Sequence, residues 1–357
     1  MRKQHIALGI SATCGILLSL SSIVFASSKP SWQQAITSHH VVIDGEPVHY
    51  VRINVHDPHV SVRPVVANHT FGTTTSLANM AKNAGAIVAV NGTFFNSWSN
   101  EFPDGALKIN GQFESIGEGT ILGIGNNGQL TMTQAKESLS ATVQDGTNPI
   151  SQLWPWCLNV PSTNTNRVDI LTPYFGKTTK DKSATVVVIK HNRVDSVSRG
   201  VTAIPGSGFV FELGSGESKT LLNRIHVGDP ANFAVNVESL SGSPINFSQF
   251  PNAIGAGPML VNNNQIVLNP KVEGFTDPTL LNSNTLRTFV GIDSSGDLIL
   301  GTIHSATLST EAKIVQHLGL KEAMNMDGGS STGLYFNGQY ITKPGRNLAT
   351  ALVVSYK

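Results

Sequence analysis

Two segments of this chain share one plan: a short amphipathic helix, an apolar strand, then a glycine-containing loop. Thr75–Asn83 places Leu77, Met80 and Ala81 on one face, and the continuous apolar run Ala86–Val90 follows, then Asn91-Gly92. Ser309–Leu318 has Glu311 in its first turn, Ala312, Val315 and Leu318 on one stripe, His317 in its last turn and Gly319 after it. The apolar segment Glu322–Met326 comes next, then Asp327-Gly328-Gly329. A helix joined to a buried strand by a tight loop must pack on that strand's sheet. Two such units imply two halves of one site, with binding groups at the strand ends.

The second loop is the more pointed. In Asn325-Met326-Asp327-Gly328-Gly329-Ser330-Ser331-Thr332-Gly333 an acid is left unshielded by two glycines, which allow positive φ and close approach of backbone to a ligand. A two-residue hairpin is the competing reading, because Asp-Gly is a strong turn signal. Gly329-Ser330-Ser331-Thr332-Gly333 also fits the nucleophile-elbow spacing. That fold needs an acid and a histidine downstream, and no Asp, Glu or His follows Ser331. Phe175-Gly176-Lys177-Thr178 imitates the end of a phosphate-binding loop, but Leu171 stands where its first glycine belongs.

Elsewhere strands dominate. His49–Val55, Val60–Val66, Thr185–Ile189, Ala231–Val237 and Leu298–Ile303 alternate apolar and polar residues. The expected class is α+β: a mixed β-sheet core with few helices, and a β-rich middle subdomain at about 138–237 that reads as strand and turn throughout. Charged residues make up 13% of the chain and the formal net charge is +1, too balanced for a nucleic-acid partner.

Arg2, Lys3 and His5 precede the apolar run Ile6–Leu20, and Val24-Phe25-Ala26 supplies a small residue for cleavage. Residues 1–26 therefore read as a secretory signal peptide, with an uncleaved anchor as the alternative and no other membrane contact. Residues 27–40 read as a mobile leader, and 41–357 as the folded domain. The implied location is secreted or associated with the cell envelope. Removing residues 1–26 leaves one cysteine, Cys157, so neither an intramolecular disulfide nor a cysteine-rich metal site is available.

Four segments taken in order resemble the phosphodiester glycosidase family: Val90-Asn91-Gly92-Thr93-Phe94-Phe95, Gly255-Ala256-Gly257-Pro258-Met259-Leu260-Val261, Arg287-Thr288-Phe289-Val290-Gly291-Ile292 and Met326-Asp327-Gly328-Gly329-Ser330-Ser331. Asn159, Tyr174-Phe175-Gly176, Pro205 and Gly228-Asp229 extend the resemblance through the middle region. The chain departs from the family where Thr93 replaces a usual glycine, and where Thr302–Leu308 lacks a glycine-rich form.

The resemblance implies hydrolysis of a sugar-1-phosphodiester at the anomeric bond, with a carbohydrate phosphodiester as substrate. That chemistry asks for a carboxyl pair, donors for the phosphate and polar groups for the sugar. Asp327 is the first candidate catalytic carboxylate and Glu273 the second. Arg287 would clamp the phosphate through its planar fork. Asn91, Thr288 and Asn325 are candidate substrate-binding residues, and Gly328, Gly329, Ser330 and Ser331 a candidate anion nest. Asp327 and Glu273 equally suit a divalent cation, which prefers oxygen ligands; no cofactor is otherwise implied. Two further readings stay open: a non-catalytic glycan-binding module using Trp154 and Trp156, and a phosphodiesterase that cleaves the P–O bond.

Overall fold

The computed structural model describes residues 31–357, apart from 146–147, 150–152 and 161. The segment read as a signal peptide lies outside the described residues. Within them, no helix is long and apolar enough to cross a membrane.

Two antiparallel sheets face each other. One has seven strands, with Thr285–Asp293 at its centre between Leu298–Ala306 and Leu320–Asn325. The other has five, with Val88–Asn91 between Leu334–Phe336 and Thr350–Tyr356. Strand alternation explains the layering. Val88, Val90, Leu352, Val354, Val290, Ile292, Leu298, Leu300 and Met324 point inward to the shared core. Ala89, Ala351 and Val353 point outward and meet Leu77, Met80 and Ala81 of the helix Leu77–Ala84. Phe289, Ile299, Ile303 and Ala323 point outward from the larger sheet and meet Leu308, Ala312 and Val315 of the helix Leu308–His317. Both faces of each sheet are thus covered, and burying each large side chain is worth about 1.5–3 kcal/mol.

The two expected helices are present, shifted by a residue or two. Side-chain oxygens of Ser76 and Thr307 cap them by accepting from the amides of Asn79 and Thr310, and Gly85 ends the first with φ +62°. Val60–Val66 is a strand with the expected bounds, and the other expected strands lie within a few residues of theirs.

The expected leader differs. Ile36–Ile43 is a full strand paired with Glu46–Ile53, so the fold begins before Val41. His39 stacks on Tyr50 and His40 on His49, cross-strand contacts that a polar-looking sequence conceals.

The middle region contributes a five-stranded sheet spanning Cys157 to Leu213. It also contains a helix, Ser215–Leu221, that the strand-and-turn reading did not expect. The strand Ala231–Ser239 then returns to pair with Leu130–Asp145 in another seven-stranded sheet. Among the pairings of named strands, that of Cys157–Leu158 with Val168–Leu171 is parallel. Asn159 ties the middle sheet down: its Nδ2 donates to the Glu114 carbonyl (2.9 Å) and Thr172 Oγ1 (2.8 Å), and its Oδ1 accepts from the Thr172 amide (2.7 Å).

Candidate active site

The strands of the two helix–strand–loop units belong to different sheets, and their C-terminal ends meet. Leu320–Asn325 lies in the larger sheet and Leu334–Phe336 in the smaller one. Residues 327–333 therefore cross between sheets, which excludes the hairpin reading of Asp327-Gly328. A 3₁₀ turn, Gly329–Ser331, makes the crossing, with Gly329 at φ +58°. Asn91 fixes it. Its Nδ2 donates to the Asp327 carbonyl oxygen (2.7 Å), and its Oδ1 accepts from Thr288 Oγ1 (2.8 Å) and the Gly333 amide (3.0 Å).

In front of this junction lies a cavity of about 870 Å³. Asp327, Gly328, Gly329, Ser330 and Arg287 line it, so five of the residues singled out in the sequence share one surface. Asn91, Thr288, Asn325 and Ser331 are fully buried and absent from the lining. Their side chains support the wall. Asn325 Nδ2, for example, donates to the Gly257 carbonyl (2.7 Å).

Glu273 is also buried behind the wall. Its carboxylate accepts from Thr120 Oγ1 (2.6 Å), Gln134 Nε2 (2.7 Å) and the Met259 amide (3.0 Å). These partners give it a structural environment, and it is not brought beside Asp327 on the cavity surface. Among the described residues no three of His, Cys, Asp and Glu gather as metal ligands. Trp154 and Trp156 are exposed but lie away from the cavity.

The lining holds residues that sequence reasoning missed: Asp104, Glu118, Asp277 and Arg346, with the aromatic rings of Phe94, Phe95, Trp98 and Phe275. Asp104 and Arg346 sit in loops and Glu118 begins a strand, with no local pattern to mark them. Asp277 caps the short helix Pro278–Asn282, accepting from the Thr279 amide (2.8 Å), and its Asp-Pro start was the signal available. Trp98 carried a signal too, a large aromatic within a polar run, and it is 93% exposed.

Phe275 rests directly on backbone. A Cβ at Gly119 would lie 2.7 Å from its ring and one at Gly257 2.9 Å, so both positions require glycine. Gly105 accommodates Thr93 in the same way: any Cβ there would collide with the Thr93 side chain.

Arg287 is 1% exposed, and burial lowers its otherwise very high pKa. Its Nε donates to the Ala306 carbonyl (2.9 Å), and its Nη2 to those of Leu280 (3.0 Å) and Ser283 (2.7 Å). Nη1 is left towards the cavity beside Gly328, where an added Cβ would lie 4.0 Å from it. The fork expected to grip phosphate is therefore largely spent on the protein, and one end remains for a ligand.

Asp327 is half-buried in the cavity floor. Burial pushes its carboxyl up to about 6, against the opposing influence of the Ser331 hydroxyl, the Arg346 charge and the Gly328 amide. Ser331 Oγ itself is shut away without a well-formed hydrogen bond. Arg346 Nη1 donates to Ser97 Oγ (2.5 Å), so the loop carrying Trp98 is tied to the cation beside Asp327. The surface thus combines a carboxyl that titrates close to neutrality, two guanidinium groups, further carboxylates and aromatic faces.

Residues 183–355 match the phosphodiester glycosidase family. No curated protein matches the chain. Among solved structures, a hypothetical protein from Synechocystis is 27% identical with a TM-score of 0.76, covering 93% of this chain and 65% of that one. The chain thus spans just under two thirds of that relative's length. A protein of Burkholderia pseudomallei K96243 described as exported is 16% identical with a TM-score of 0.66, covering 87% of this chain and 74% of that one; it shares the fold. The catalytic domain of zebrafish N-acetylglucosamine-1-phosphodiester alpha-N-acetylglucosaminidase, auto-inhibited by pro-peptide, is 16% identical with a TM-score of 0.46, covering 90% of this chain and 82% of that one. The resemblance is thus matched over residues 183–355, which hold three of the four motifs.

Proposed function

We propose that the cavity hydrolyses the glycosidic bond of a sugar-1-phosphodiester. The observation that carries this reading is the Asp327 carboxyl, raised to about 6 while sharing its cavity with Arg346 and the free end of Arg287. A carboxyl near neutrality is suited to moving protons, and the guanidinium groups match a phosphate anion in charge and donor geometry. Phe94, Trp98 and Phe275 offer apolar faces to a sugar ring.

Water adds at the anomeric carbon and the bond from that carbon to the phosphate oxygen breaks. The electron pair leaves with the phosphomonoester, whose charge Arg346 and Arg287 Nη1 neutralise. Such a leaving group needs little protonation, so the heavier demand is to take the proton from water. Two carboxylates flank the scissile bond in most glycoside hydrolysis. Asp327 is one. Glu118, exposed in the cavity lining, is the second in place of Glu273.

The signal-like segment at residues 1–26 supports export, and hence a substrate in extracellular or envelope glycans. N-terminal sequencing of the exported protein should begin near Ser27; a chain still starting at Met1 removes that support.

Turnover of a sugar-1-phosphodiester in heavy-oxygen water tests the chemistry. Label in the released sugar is the expected result. Label in the phosphate means P–O cleavage, and tight binding without turnover means a glycan-binding module; either outcome overturns the proposal.

A further inference from the structure

Glu311 is a buried acid within electrostatic reach of the cavity residue Arg287. It sits in the first turn of the helix Leu308–His317 with 0% exposure, and neither carboxyl oxygen has a hydrogen-bond partner. A buried carboxylate without donors is costly unless a charge offsets it. The charge that acts on Glu311 is Arg287, which forms no direct ion pair with it. The other charged or titratable groups on the helix and the elements packed against it are Lys313, His317 with its partner Asp44, Lys321, Glu322, His304, Asp277 and Tyr50. All sit at exposed or half-exposed positions.

Arg287 is therefore a buried cation with two possible counter-charges. Glu311 is behind it, and whatever anion enters the cavity meets Nη1 in front. Its remaining donors hold main-chain carbonyls and cannot follow either partner.

We propose that Glu311 is a positioning residue that sets the anion affinity of Arg287: in mildly alkaline solution it takes up a proton when an anion occupies the cavity and releases it when the cavity empties. The inference rests on the anion-binding reading of this site. The thermodynamic logic is reciprocal: an anion that cancels the influence of Arg287 favours the neutral acid, and the neutral acid leaves Arg287 wholly to the anion. Burial already pushes the Glu311 carboxyl up to about 8, so the exchange falls within an accessible range. Asp327, at about 6, is ionised before that range begins.

Sulfate is the probe, since its charge does not change between pH 7 and 9.5. For the wild-type protein the sulfate Kd should rise above about pH 8, approaching tenfold per pH unit for one linked proton. For Glu311→Gln, which keeps shape but cannot ionise, it should stay flat. Calorimetry of the wild type near pH 8, in buffers of different ionisation enthalpy, should show uptake of a fraction of a proton per sulfate bound. This second measurement does not depend on the variant folding.

A flat wild-type profile, the same slope in Glu311→Gln, no proton uptake, or no sulfate binding at all would each overturn the proposal. Turnover of a sugar-1-phosphodiester, followed on the same samples, separates it from the functional reading. Proton-linked sulfate binding without turnover defeats the hydrolase alone; turnover with pH-independent sulfate binding defeats the role of Glu311 alone.

Discussion

Asn91 Nδ2 donates to the carbonyl oxygen of Asp327 across 236 residues of sequence, at 2.7 Å. This bond joins the loop ends of two sheets, and it aims Asp327 through the backbone while leaving its carboxylate to the cavity. Asn91→Ala should therefore act on both stability and rate. It strands the Asp327 carbonyl, the Thr288 hydroxyl and the Gly333 amide, and each orphaned buried group costs about 1–3 kcal/mol before relaxation. A net loss of about 2–4 kcal/mol in urea denaturation is expected, with turnover reduced in the molecules that stay folded. Stability within 0.5 kcal/mol of wild type, on the scale of a neutral surface change, would rule out the linking role.

Asp327→Asn should give the opposite combination. The folded-state carboxyl is raised, so the native state binds this proton more tightly than the unfolded chain. The resulting cost to stability develops as pH rises from about 4 to about 6 and is complete at pH 7. Replacing the acid by its neutral amide should raise the melting temperature at pH 7 and leave it little changed at pH 4. Turnover should fall by about 10²–10⁴-fold, the usual worth of a positioned acid or base. Retained turnover removes Asp327 from the mechanism.

Glu118→Gln and Glu273→Gln separate a working carboxylate from a supporting one. Glu118 is exposed in the cavity, so its loss should abolish turnover with little change in melting temperature. Glu273 accepts three donors in the interior. Its amide can keep Gln134 and the Met259 amide on its oxygen but must turn its NH2 to the Thr120 hydroxyl, which switches from donor to acceptor. The loss should be about 0.5–1.5 kcal/mol, with turnover per folded molecule largely kept. The reverse assignment of effects would restore Glu273 to the catalytic pair.

Whole-protein stability should be greater at mildly acidic pH than at pH 8. Burial raises the carboxyls of Glu114 and Glu137 to about 7 and Glu311 to about 8. Raised folded values mean that stability contributed by the bound protons is lost as pH rises through them. Melting temperature measured from pH 5 to 8.5 should decline, and Glu137→Gln should flatten the part near pH 7. A profile rising across that interval contradicts the burial of these groups in neutral form.

The layering was legible because period is a local property. Val88-Ala89-Val90 and the spacing of Leu77, Met80 and Ala81 each announce a two-faced element, and those faces are the ones buried. Asp327, singled out by its glycine neighbours, does reach the cavity surface. Glu273 misled because an acid beside Gly274 looks like an exposed loop charge. The donors that claim it, Thr120 and Gln134, lie 153 and 139 positions away. Arg287 does line the cavity, yet its carbonyl partners come from the short helix Pro278–Asn282, its C-cap and a strand end, which no periodicity links to it. Glu118 and Arg346 reach the cavity through strand order, which local pattern does not encode.

The contact of Phe275 with the bare backbone at Gly119 and Gly257 bears on how this cavity can change over evolutionary time. No side chain intervenes there, so that part of the wall offers no position at which a substitution could widen, narrow or re-polarise it without first displacing the ring. Side-chain positions open to variation lie elsewhere in the lining, among them the loop bearing Trp98 and the stretch around Asp277–Asn284. Libraries aimed at new substrates should be built there.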